Sequence, residues 1–198
     1  SNWWNGVTNV LWNDAASPIA TFGNGGAAGA VTVSGAHSAG ALVFNAVSGG
    51  SYTLTGAGPL TIGSGITANT NVTINVPLVL AGDQLWSVPA GSTITLGSAL
   101  AASSPVVLSL GGAGEFHFAG AGNQFPATVG SVNLAGDVTI ILDSGPHVLA
   151  QLTLDNNVDA TIAGAGALTL NASSDRAIGG TVSGASETLD ISRLAAFA

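Results

Sequence analysis

The sequence predicts an all-β chain, a parallel β-solenoid in which short strands stack as rungs. Three observations lead there. Strand pieces of two to four residues recur, as in Val31-Thr32-Val33, Leu42-Val43-Phe44, Tyr52-Thr53-Leu54, Leu60-Thr61-Ile62 and Val72-Thr73-Ile74. Their side chains alternate with a period of two, the strand signal. Gly, Ala, Ser and Asn cut the pieces apart, and none can bury a face unless a similar piece stacks above and below it. Finally, 46% of the 198 residues are hydrophobic and only 6% are charged, against about 25% charged in an average soluble domain. Branched apolar residues at that density do not make a disordered composition. The chain folds, with Ser, Thr and Asn left to cover the outside.

The charge balance removes several function classes. There is no Lys, Arg176 and Arg193 are the two basic residues, and ten acids bring the net charge to -8. Such a chain cannot neutralise phosphates, which excludes nucleic acid as a partner, and anionic membrane surfaces should repel it. Cysteine is absent, which excludes disulfides and thiolate metal sites. The mean hydropathy is positive at +0.52, yet the apolar runs stay far below the roughly 20 residues of a spanning helix. Ser1-Asn2-Trp3-Trp4 carries no basic n-region, so an excised segment of a longer surface protein is expected.

In chain order, residues 1–26 stand apart. Trp3, Trp4 and Trp12 lie beside the turn signals Asn5-Gly6 and Asn13-Asp14. This stretch is expected to cap the open end of the stacked core, as repeat arrays require. The other reading is an aromatic platform for sugars. Residues 27–198 are expected to form the rungs as one continuous domain. Gly56-Ala57-Gly58-Pro59-Leu60-Thr61-Ile62 recurs 108 positions later as Gly164-Ala165-Gly166-Ala167-Leu168-Thr169-Leu170, about five turns at 20 to 25 residues per turn. Thr32-Val33-Ser34-Gly35-Ala36 recurs as Thr181-Val182-Ser183-Gly184-Ala185. In Glu115-Phe116-His117-Phe118 the alternation sends the two Phe inward and the charged pair outward. Val138 to Leu142 is the most continuous apolar strand, bounded by Asp137 and Asp143. A β-sandwich has strands at similar spacing and is the alternative fold, although its strands usually run longer.

Trp12-Asn13-Asp14-Ala15-Ala16, Ala20-Thr21-Phe22-Gly23, Val31-Thr32-Val33, Leu42-Val43-Phe44, Tyr52-Thr53-Leu54-Thr55-Gly56 and Gly58-Pro59-Leu60-Thr61-Ile62 together resemble the opening of bacterial autotransporter-type passenger domains, which carry the autotransporter-associated β-strand repeat. The resemblance covers residues 10 to 80, and the rest in style. It implies a right-handed parallel β-helix, secreted or on the cell surface, serving as an adhesin, matrix or scaffold element. It supplies no catalytic residues, and the C-terminal membrane barrel of the full family architecture is not in this sequence.

Candidate chemistry is sparse. Most of the ten acids lie at turns, where Asp satisfies local backbone donors, and a polysaccharide lyase would want a basic proton abstractor that this composition hardly supplies. No enzyme activity is expected. Asp155, Asn157 and Asp159 bunch oxygen ligands and form the calcium candidate, although the Gly-rich spacing of known calcium loops is missing. No other cofactor is indicated. Trp3, Trp4 and Trp86 are the candidate sugar-stacking residues of a carbohydrate-binding or carbohydrate-cleaving β-helix. Thr53-x-Thr55 and Thr93-x-Thr95 raise an ice-binding face, but Thr favours strands in any case. The expectation is a non-enzymatic extracellular β-helix, structural or adhesive, whose few charges leave strand edges free to self-associate into fibres or biofilm matrix. Neighbouring surface proteins and glycans are the other expected partners.

Overall fold

The computed structural model describes residues 3–4, 7–23, 27–98, 100–120, 124–143, 145–155, 157–170 and 188–197. They form an all-β parallel solenoid of about six turns, with one short 3₁₀ turn at Asp14–Ala16. Every strand pair among these residues is parallel except Trp3–Trp4 with Asn9–Val10. A sandwich is built from antiparallel sheets, so that alternative is set aside.

The pairings resolve into three ladders per turn. The second ladder stacks Ile19–Phe22, residues 41–44, residues 65–68, Gln84–Val88, Val106–Gly112, Val129–Leu134 and Leu152–Leu154. One register line runs through Ile19, Ala41, Gly65, Leu85, Ser109, Asn133 and Thr153, so each turn consumes 20 to 24 residues. The third ladder stacks Ala30–Thr32, Tyr52–Thr55, Val72–Ile74, Thr93–Leu96, Glu115–Phe118, Thr139–Leu142 and the start of Asp159–Leu170. The first ladder joins the start of His37–Phe44 to the start of Leu60–Ala68, then Leu78–Leu80 and Leu100–Ala102. There the Leu100 N–H donates to the Gln124 carbonyl. Further on, Pro146–Leu149 pairs with the end of Asp159–Leu170. The ladder register thus begins at Ile19, inside the stretch that composition alone set apart as residues 1–26.

Alternation within a strand sets the core. Thr93–Leu96, Glu115–Phe118 and Thr139–Leu142 each bury every second residue. Identical register then stacks like on like: Ala20, Leu42, Ile66, Trp86, Leu110 and Leu134 form one buried rank. Tyr52, Val72, Ile94, Phe116, Ile140 and Ile162 form another. Phe116 and Phe118 point inward while Glu115 and His117 do not, as the alternation predicts.

The strands are longer than the two-to-four-residue pieces visible in the sequence. His37–Phe44, Leu60–Ala68 and Asp159–Leu170 each run through a corner and serve two ladders. The register shift between Ala39 and Ala41 shows how: the corner is absorbed as a bulge in the next turn's strand, where Gly63 and Ser64 stand opposite Gly40. What reads as punctuation is therefore a bend within a continuous strand. The Thr32–Ala36 repeat in its second copy, 181–185, lies outside the described residues.

Candidate functional site

The aromatic residues of the N-terminal stretch divide between packing and hydrogen bonding. Trp3, in the Trp3–Trp4/Asn9–Val10 hairpin, meets Trp12 edge-on at 4.6 Å and Phe22 at 5.6 Å. Phe22 lies flat on Phe44, 4.7 Å away and 8° from parallel, and both approach Tyr52. This column of rings runs from the hairpin into the first turns of the core. The Trp12 indole N–H donates to the Ser38 carbonyl at 2.9 Å. Trp4 occupies the hairpin strand opposite Asn9.

Trp86 has a different place from the one its chemistry suggests. It is completely buried, in the rank between Ile66 and Leu110, and its indole nitrogen lies 3.4 Å from the Gln84 amide oxygen. With no ring face open, it cannot stack on a sugar, and the sugar-stacking assignment of Trp86 is corrected. Alternation is the reason: Gln84, Trp86 and Val88 share the inward face of their strand.

The carboxylates are used as clasps between turns. Asp14 Oδ1 accepts the Ser38 backbone N–H at 2.7 Å, Asp83 Oδ1 that of Val107 at 2.8 Å, and Asp137 Oδ1 that of Asp159 at 2.8 Å. Asn71 Oδ1 plays the same part for the Thr93 N–H at 3.0 Å. Each partner lies 22 to 24 residues further along, one turn ahead. A side chain here satisfies a backbone donor where the ladder is interrupted at a corner. At Asp14 the Ser38 N–H holds the carboxyl below its ordinary value against an opposing effect of burial, and the His37 ring adds to the lowering. His37 Nδ1 lies 3.2 Å from both Asp14 oxygens.

Asp155, Asn157 and Asp159 sit at the corner leading from the second ladder to the third. Asn157 has a left-handed backbone with φ of 61°. Asp155 Oδ1 accepts from Asn133 Nδ2 at 3.1 Å, and Asn133 Oδ1 accepts from the Thr153 hydroxyl at 2.7 Å. Asp159 gives its backbone N–H to Asp137, which register places directly beneath it. Among the described residues, no three His, Asp or Glu side chains converge to hold a metal ion.

Two features escape sequence reading altogether. His117 Nε2 and Asp143 Oδ1, 26 residues apart, meet at 2.8 Å across adjacent turns. His147 is fully buried beside Phe125, with Nε2 3.1 Å from the Asp143 carbonyl oxygen. The first depends on register between turns, which no local pattern encodes; the second is a local contact four residues apart, closed by Phe125. The Asx clasps had a signal, an Asp or Asn just before or at the start of a strand piece, but its partner could be found only with the turn length known.

The second and third ladders differ in the chemistry of their outward residues. The third ladder presents Thr53, Thr73 and Thr95 in one register line, followed by His117. The ranks that an ice-binding face would need therefore extend over three turns and end there. On the second ladder the corresponding register line runs Ile19, Ala41, Gly65, Leu85 and Ser109, with Gly65 buried among them. These are the surfaces of a parallel β-solenoid, and the fold defines the protein to that level. No family model, curated protein or solved structure matches the chain.

Proposed function

We propose that this chain is a non-enzymatic, extracellular or cell-surface β-helix of the autotransporter-passenger kind, acting as a stiff structural or adhesive rod. The observation that supports this most is the continuous pairing of the second ladder from Ile19 to Thr153, with one register shift at Val106–Val107. Parallel strands bonded on both sides along the axis leave few backbone groups for a protease to engage. The clasping carboxylates fit the same role, since Asp14, Asp83 and Asp137 hold neighbouring turns together. With few charges to blunt edge-to-edge pairing, such rods assemble with copies of themselves into fibre or matrix.

The test is negative-stain electron microscopy with limited proteolysis, before and after concentration. Elongated particles that resist a non-specific protease and form ordered filaments on concentration are the expected result. Rapid digestion throughout the chain would remove the rod reading. Discrete, resistant rods at every concentration would leave a monomeric adhesin, and glycan screening would then decide its ligand.

A further inference from the structure

We propose that Asn71 is a modification site, the acceptor of an N-linked sugar. This deepens the reading of the chain as a secreted or cell-surface protein and rests on it. Asn71-Val72-Thr73 is an asparagine with a hydroxyl residue two positions on and no proline between, the triplet at which sugars are attached to exported chains. Among the described residues no other asparagine has Ser or Thr at that spacing. Asn171-Ala172-Ser173 also has it and lies outside them.

The fold supplies the second observation. Asn71 is exposed, at the corner just before the Val72–Ile74 strand. Its Oδ1 accepts the Thr93 N–H at 3.0 Å, and its Nδ2, the atom that would carry the sugar, has no hydrogen-bond partner among the described residues. Asn133 differs, since its amide is held at both ends, by Asp155 and by Thr153. The clasp to Thr93 needs only an acceptor oxygen. Asp14, Asp83 and Asp137 make the same kind of clasp with a carboxylate, so the clasp alone does not account for an amide here. A sugar on Nδ2 leaves Oδ1 and its hydrogen bond in place, because the linkage is still an amide. The corner has room for it. Ser51 on the turn below and residues 89–91 on the turn above are exposed, and a Cβ on Gly91 would meet nothing within 4 Å. Thr73 faces outward between Thr53 and Thr95.

The step is a group transfer. Asn71 Nδ2 bonds to the anomeric carbon of a phosphate-activated sugar, and the bond from that carbon to the phosphate oxygen breaks. The phosphate leaves with the electron pair, and the amide gives one proton to a base of the transferase. Transfer to the extended, unfolded chain needs no pocket in this protein; the folded corner has only to accommodate the product.

The test exports the whole chain through a secretory compartment that holds an oligosaccharyltransferase and maps its peptides by mass spectrometry. Asn71 is expected to carry sugar in most molecules. Thr73→Ser should keep it, whereas Thr73→Val and Asn71→Asp should abolish it, although Asn71→Asp retains an acceptor for the Thr93 N–H. The melting temperature should be the same before and after enzymatic release of the sugar. A bare Asn71 in the wild type overturns the proposal. So does occupancy indifferent to Thr73→Val, or a sugar-bearing chain whose far-UV circular dichroism departs from that of the bare one. Electron microscopy of the same sample separates the two readings. Rods with a bare Asn71 remove the site alone, whereas a sugar-bearing Asn71 on a chain that forms no rods removes the rod alone.

Discussion

Asp14 shows how much a single exposed carboxylate can hold in this fold. Its side chain joins the segment before the first rung to Ser38 and His37, one turn later. The Ser38 N–H favours the charged form and places the folded pKa below the ordinary 3.8. A depressed carboxyl contributes stability that is complete above the unfolded value and is lost as pH falls through the folded one. Thermal melts from pH 6 to pH 2 should therefore show this contribution disappearing below about pH 3.8. Asp14→Asn keeps an acceptor for Ser38 and should flatten that part of the profile. An identical acid profile in the variant would mean the clasp carries no pH-dependent stability.

Gly112 makes a second prediction at this scale. It ends the Val106–Gly112 strand with φ of +94°, and a Cβ would run into the Val88 carbonyl oxygen of the turn beneath. Gly112→Ala adds left-handed strain and a backbone clash together, costing about 1–3 kcal/mol. In a chain of this size the melting temperature should fall by about 2–10 °C. Gly91 also has positive φ, at +79°, but open space around it, so Gly91→Ala should cost less, and the difference between the two isolates the clash.

At the scale of elements, the N-terminal hairpin and the first rung are tied through rings. Trp3 touches Trp12 and Phe22, and Phe22 stacks on Phe44. Aromatic pairs of this kind are worth about 0.5–1.5 kcal/mol each beyond burial. Trp3→Ala should open the first turn without opening the middle. In hydrogen exchange, amides of residues 19–22 are expected to lose protection while those of residues 84–88 keep theirs, since stability in a stacked array is local. Uniform loss along the chain would show that the hairpin controls the whole fold. The alternation in each rung was legible in the sequence, because it follows from side chains two residues apart. Strand length was not. Gly40 and Gly164-Ala165-Gly166 look like breaks, yet the strands continue through them.

For the molecule as a whole, the core is one continuous column of buried side chains, with Trp86 near its middle turn. Trp86→Ala removes the largest of them and should cost about 3–5 kcal/mol. Each turn contacts only its neighbours, so a weakened centre should let the two ends melt apart. Calorimetry of Trp86→Ala is expected to show a broadened transition whose van't Hoff enthalpy falls below the calorimetric one, the mark of lost two-state behaviour. A single sharp transition at lower temperature would mean that cooperativity spans the whole ladder.

By itself the sequence determined that this chain is all-β and that its rungs are stacked, and a general solenoid turn of about 20 to 25 residues made its long repeat about five turns. The 108-residue repeat illustrates this: Thr53 and Ala163, beside the two Gly-Ala-Gly corners, lie five register steps apart, through Thr73, Thr95, His117 and Ile141. Period-two alternation and corner glycines are local properties, written in neighbouring residues. Only the tertiary structure decided which residues meet across turns. It buried Trp86, turned the Asp side chains onto backbone donors one turn away, joined His117 to Asp143 and exposed Leu85 above Gly65. Those meetings depend on turns of 20 to 24 residues whose lengths vary from one to the next. A shift of one residue would send every side chain of a strand to the opposite face.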